Sequence, residues 1–195
     1  MKLLLDILQG AGIATGTGLR PFLPALAAGG LAAGDVGVDF DGTQFAFLEQ
    51  PWWLVLLAVG LVATVLARRF TASGPGEAAI SGLGIGLGGL LCAASIDDRH
   101  DTWWYGLIVG VALAYLANVV SRDLFGRVRA RFQASGDEQA AAALPVYGEA
   151  AGLVVAAASV LFPPLALVAI GLLIALLITG RRRSQEKYAG LRILR

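Results

Sequence analysis

Residues 3–34 form a hydrophobic stretch long enough to cross a membrane, interrupted by Thr15-Gly16-Thr17-Gly18-Leu19-Arg20-Pro21. A bilayer interior offers no water to a broken backbone or a guanidinium, so such an interruption survives only where it faces protein or a wet cavity. Arg20 is therefore the first residue to which a function attaches. Composition extends the constraint to the whole chain. Hydrophobic residues make up 57% and charged residues 15% of the 195 positions, against about 25% charged in an average soluble domain. Mean hydropathy is +0.73. The chain reads as a single integral membrane domain, residues 1–195, with the bilayer as its first partner and no soluble domain. The apolar run after Met1-Lys2 outlasts the ~7 to 15 residues of a signal-peptide core, so it is expected to stay as a span.

Four segments meet the length of a crossing, at 3–34, 52–67, 76–96 and 103–121. The last apolar block contains Phe162-Pro163-Pro164, where proline removes a helical donor and restrains the residue before it. It is expected to fold as a hairpin of 147–162 and 164–180. The fold class is thus all-α, a polytopic transmembrane helix bundle of about six crossings with a broken first helix and a Pro-Pro-turned C-terminal hairpin. The positive-inside rule agrees with that count. Arg68, Arg69, Arg122, Arg127, Arg129, Arg131 and the Arg181-Arg182-Arg183 tail fall on one side. Asp35, Asp39, Asp41, Glu49, Asp97, Asp98 and Asp101 fall on the other. Both termini are expected to be cytoplasmic.

The chain also resembles itself weakly. Trp52-Trp53 and Trp103-Trp104 each open a segment, and each pair is followed by Gly-Glu-Ala-Ala, at 76–79 and 148–151. A duplicated helix pair and a chance recurrence of interfacial tryptophans both fit. Between the copies, 122–132 places Leu124, Phe125, Val128 and Phe132 on one helical face. That suits an interfacial cytoplasmic helix whose Arg122, Arg127, Arg129 and Arg131 meet anionic lipid; nucleic-acid binding is not expected. Residues 136–143 read as a flexible connector.

If the first half-helix ends near Ala14 and a second starts at Pro21, free amides and a positive dipole end lie beside Arg20. Thr15, Thr17, Gly18 and Arg20 then form an anion or substrate site of the kind that discontinuous helices build in transporters. Glu77 and Glu149 complete the candidate set. The alternative is structural: Arg20 pairs with Glu77 or Glu149, and each carboxylate complements the start of its helix. Gly82, Gly84, Gly86 and Gly88 form overlapping small-xxx-small patterns that favour close helix packing, and leave a homo-oligomer open. Lys-Ser or Lys-Thr does not follow them, so they are no phosphate loop. One cysteine, Cys92, and one histidine, His100, give no basis for a metal or haem site. No cofactor and no catalytic constellation is expected.

Two short motifs carry a resemblance. Gly18-Leu19-Arg20-Pro21-Phe22-Leu23-Pro24 and the ending Lys187-Tyr188-Ala189-Gly190-Leu191-Arg192-Ile193-Leu194-Arg195 look like the bacterial multi-pass proteins catalogued as domain of unknown function 4126. Where that family's pattern places acidic and lysine residues near the end of the second segment, this chain has Arg68-Arg69. The resemblance implies membrane architecture, in a bacterial inner membrane, and supplies no activity. The expected function is a small transporter or channel for a small solute, an anion being the candidate, with a non-transporting scaffold or partner subunit as the alternative. A cavity reaching Arg20 separates the two.

Overall fold

Apolar segments in lipid must satisfy their backbone internally, and helices do so. The computed structural model describes residues 2–67, 74–97 and 103–191, with side chains from residue 3 to residue 180. Seven helices account for most of them: α1 Lys2–Leu19, α2 Phe22–Ala32, α3 Pro51–Leu66, α4 Pro75–Asp97, α5 Trp103–Ala134, α6 Glu138–Leu161 and α7 Leu165–Leu191. A 3-10 turn, Ala46–Glu49, precedes α3, and the described residues contain no strand. By length and composition α4, α5 and α6 suffice to cross a membrane, and the apolar parts of the others are shorter. Arg68, Arg69, Asp98, Arg99, His100 and Asp101 lie outside the described residues, as do the side chains of Arg181, Arg182, Arg183 and Lys187.

Successive helices alternate in direction around α1. Gly10 abuts Cys92 and Gly88 abuts Ala14, so α1 and α4 are antiparallel. Gly12 meets Ser159, and Gly16 packs on Gly152 and Ala156, so α6 also runs against α1. Gly18 rests on Ala114 of α5, and Gly12 on Ala166 of α7, two helices parallel to α1. Each approach is close because a glycine lets two backbones touch, the usual currency of helix association in lipid.

The break in the first segment is real but displaced. Helix α1 runs through Thr15-Gly16-Thr17-Gly18 to Leu19 instead of ending near Ala14, and Arg20 N–H still donates to Gly16 O at 3.2 Å. Thr17 Oγ1 bonds back to Ala14 O (3.0 Å) and Ile13 O (3.2 Å), which keeps its hydroxyl inside its own helix. The chain then reverses: Pro21 takes the N-cap of α2, not its first turn, and α2 climbs back beside α6, as Leu23 at Glu149 and Gly152 at Pro24 show. By Gly37 the backbone is again level with Gln9, whose side-chain amide donates to Gly37 O (2.7 Å) and Val160 O (3.1 Å). Arg20 thus sits at the turn of a hairpin, not midway along a span. The start of α1 consequently lies at the opposite end of the bundle from the arginine cluster and the last turns of α7, in place of one face shared by both chain ends.

Three further expectations change. Residues 122–132 do not form a separate surface helix; they continue α5, which runs unbroken for 32 residues, roughly 48 Å. The connector shrinks to 135–137, because Asp137 caps α6 by accepting from Ala140 N–H at 2.9 Å. Glu149 therefore stands three turns inside α6, whereas Glu77 does occupy the first turn of α4. Of the packing glycines, Gly84 and Gly88 meet Thr17, Ala14 and Ala114, while among the described residues nothing lies within 4 Å of a Cβ built on Gly82 or Gly86. The Pro-Pro hairpin is as expected: Leu161 ends α6 and Leu165 starts α7.

Candidate functional site

The short α1–α2 hairpin creates the site. Arg20 lies level with Gly148, so α6, which starts at Glu138, continues about 15 Å beyond the hairpin turn. Helices α4 and α5 overshoot it likewise. The turn becomes the floor of a cavity of about 560 Å³, walled by the ends of α3, α4, α5 and α6. That volume lies within the ~300 to 1,000 Å³ typical of ligand pockets.

Five of the six sequence-selected residues line or floor this cavity: Thr17, Gly18, Arg20, Glu77 and Glu149. Thr15 does not. It is 1% exposed and its hydroxyl has no hydrogen-bond partner among the described residues, so it belongs to the packed interior of α1. Gly18 contributes its carbonyl, which accepts from Asn118 Nδ2 at 3.4 Å.

The two carboxylates are committed differently. Glu77 lies 3.5 Å from Arg122 Nε, and Arg122 Nη2 also donates to Ser81 Oγ (2.6 Å) and Glu77 O (3.4 Å). Glu149 Oε2 accepts from Leu23 N–H at 3.1 Å. A carboxylate on α6 thus satisfies an orphan donor in the first turn of α2 and faces that helix's positive end. The amides that the sequence offers to an anion are occupied in part by the protein's own anion.

Arg20 is half-buried and makes no ion pair within 4.0 Å among the described residues; its charged neighbours are Glu149, Arg129 and Glu77, in order of influence. Gly148 explains how it fits, since a Cβ there would lie 3.2 Å from Arg20 Nε and 3.3 Å from its Cγ. Arg129 lines the same cavity and likewise has no carboxylate within 4.0 Å among the described residues. Arg127 instead pairs with Asp123 at 3.0 Å.

Residues 7–183 match the family described as Domain of unknown function (DUF4126). The chain belongs to that family. No curated protein and no solved structure matches it significantly. That description assigns no activity; the membrane architecture rests on the apolar helices of this chain, and the chemistry on its residues. Sequence reasoning missed Arg122 and Arg129 as cavity residues. Asn118, Arg122, Phe125, Arg129 and Gln133 recur at spacings of four and three, and all line the cavity, so the stripe was present at helical period. The pattern alone does not say whether such a face meets lipid or a neighbouring helix.

At the opposite end, carboxylate oxygens of Asp39, Asp41 and Glu49 lie within 4.8 Å of one another. Burial, then the hydrogen bond that a protonated Glu49 donates to the Asp41 carboxylate, pushes the Glu49 carboxyl above its ordinary range, against the opposing pull of Phe40 N–H at 3.2 Å. The group fastens the segment before α3.

Proposed function

We propose that this integral membrane protein is a small transporter or channel whose cavity binds a small anionic solute. One observation carries the reading: two guanidinium groups, Arg20 and Arg129, share one cavity with no carboxylate within 4.0 Å of either among the described residues. A planar fork of donors with no internal partner matches an oxyanion, and charge-assisted bonds are the strong ones. The positive-inside rule supports a cytoplasmic mouth in a bacterial inner membrane, because the described arginines crowd that end. Arg127 and Arg131 then meet anionic headgroups outside the cavity.

The competing reading is a scaffold that moves nothing. It draws on the far side of the cavity floor, where Gly84, Gly88 and Gly110 bring α1, α4 and α5 into backbone contact. Thermal unfolding of the purified protein against phosphate, sulfate, chloride and acetate separates the two. Binding to the folded state alone raises stability by about 2.7 kcal/mol at a hundredfold excess over Kd. The transporter reading expects such a rise, its loss in Arg20→Gln, and an anion flux in proteoliposomes that Arg20→Gln abolishes. If no anion stabilises the protein, and Arg20→Gln unfolds it until Glu149→Gln is added, Arg20 is a structural partner and the reading fails.

A further inference from the structure

The shape of the cavity narrows the class of solute. Its charged groups are concentrated on Arg20, Arg122, Arg129, Glu77 and Glu149, while Phe22, Val65, Ile80, Phe125 and Val146 supply an apolar lining. With Arg122 held by Glu77, the uncommitted cationic groups of the cavity reduce to Arg20 and Arg129, while Glu149 is bonded to Leu23 N–H. Bare inorganic phosphate would use those two side chains and leave most of the 560 Å³ and the whole apolar lining without a partner. Val65 and Val146 are 44% and 52% exposed although they line the cavity, so it reaches the flank of the bundle as well as its end. The flank is where acyl chains lie, and the arginine-rich end is where headgroups lie.

We propose that the cavity takes a phosphate-headed amphiphile from the bilayer, its phosphate held between Arg20 and Arg129 and its first methylenes against Phe22, Val65, Ile80 and Val146. Two arginine forks suit the phosphate's oxygens, and each methylene removed from water adds roughly 0.8 kcal/mol where the lining is apolar. The chains leave through the flank, so the cavity need not enclose a whole lipid. This inference rests on the cavity being an anion site, and the two can fail separately.

The test is binding to the full chain in a nonionic detergent, with three probes: dioctanoyl phosphatidic acid, inorganic phosphate, and dioctanoylglycerol, which has the chains without the phosphate. Saturable binding of the phosphatidic acid is expected. Arg129→Gln should weaken it on the order of tenfold or more, the worth of one lost charge-assisted bond. Arg131→Gln, outside the cavity, should leave it unchanged, and inorganic phosphate should displace the lipid only at far higher concentration, since it makes the arginine bonds without the apolar contacts. Should Arg129→Gln fail to fold, Arg129→Lys serves, with an affinity between the two. If inorganic phosphate binds as tightly as the phosphatidic acid, with the same dependence on Arg129, and displaces it at comparable concentration, the anion site stands and the amphiphile is wrong. If dioctanoylglycerol binds as well as phosphatidic acid, or no probe binds, both readings fall. Equal weakening by Arg131→Gln reduces the effect to surface attraction and overturns the inference.

Discussion

Two glycines a helical half-turn apart show what one residue decides. A Cβ on Gly88 would lie 2.6 Å from Ala114 Cβ and 2.8 Å from Thr17 Oγ1, whereas one on Gly86 would meet nothing within 4 Å. Overpacking a close contact typically costs ~1 to 3 kcal/mol, occasionally more. Gly88→Leu should therefore lower the melting temperature of the solubilised protein sharply, and Gly86→Leu should leave it unchanged. Equal destabilisation by both would mean that Gly86 also meets a neighbour, which size exclusion would reveal as a lost oligomer. The sequence displayed the glycines without their phase. Lipid and protein interior are equally apolar, so hydropathy does not distinguish the face that packs from the face that meets acyl chains. Arg20 was legible because a guanidinium in an apolar segment carries a cost whatever the fold. Arg129 was not, because a basic residue beyond the end of a span costs nothing and so signals nothing.

Elements were legible where composition punctuates them and obscure where it does not. Pro163-Pro164 marked the α6–α7 turn, and each Trp-Trp pair marked a helix start. The continuity of α5 past Ser121 carried no such mark, since an amphipathic period is the same whether a helix lies on a leaflet or rises from it. The segment between α2 and α3 was read only for the side on which its acidic residues fall. In the structure it buries Phe40, Phe45 and Leu48 against the bundle, and Phe45 and Phe47 meet Trp103 and Trp53 edge-on at 6.1 and 5.3 Å. Gln9 ties this segment down, donating to carbonyls on two different elements. Gln9→Leu removes both bonds without adding a donor, and a buried carbonyl left unmatched costs ~1 to 3 kcal/mol. The expected outcome is a lower melting temperature with new proteolytic cleavage within 33–50. Cleavage elsewhere, or none, would show that the aromatic contacts alone hold the segment.

For the whole molecule, direction is the property that hydropathy left open. Counting the first segment as a single crossing placed both chain ends on one side; the hairpin at Arg20-Pro21 adds a reversal and sets the start of α1 opposite the last turns of α7. The cue was available in principle, since a segment of about 32 residues exceeds the ~20 that a crossing needs. Deciding between a tilted span and a hairpin required the partners of α2, which the sequence does not name. The same reversal gives the molecule a sided architecture: Asp35, Asp39 and Asp41 at one end, the cavity and the arginines of α5 at the other. Positive-inside bias makes the arginine-rich end the cytoplasmic one under the proposed reading. Single cysteines at two exposed positions, Gln44→Cys in the segment before α3 and Ser135→Cys in the α5–α6 turn, test it in a Cys92→Ser background. A membrane-impermeant maleimide should label position 44 in intact cells and position 135 only after permeabilisation. The reverse pattern would turn the cavity to the outside and remove the cytoplasmic leaflet as the source of its ligand. Labelling of both from one side would contradict the alternating helix directions themselves, and with them the hairpin that makes Arg20 the floor of a cavity.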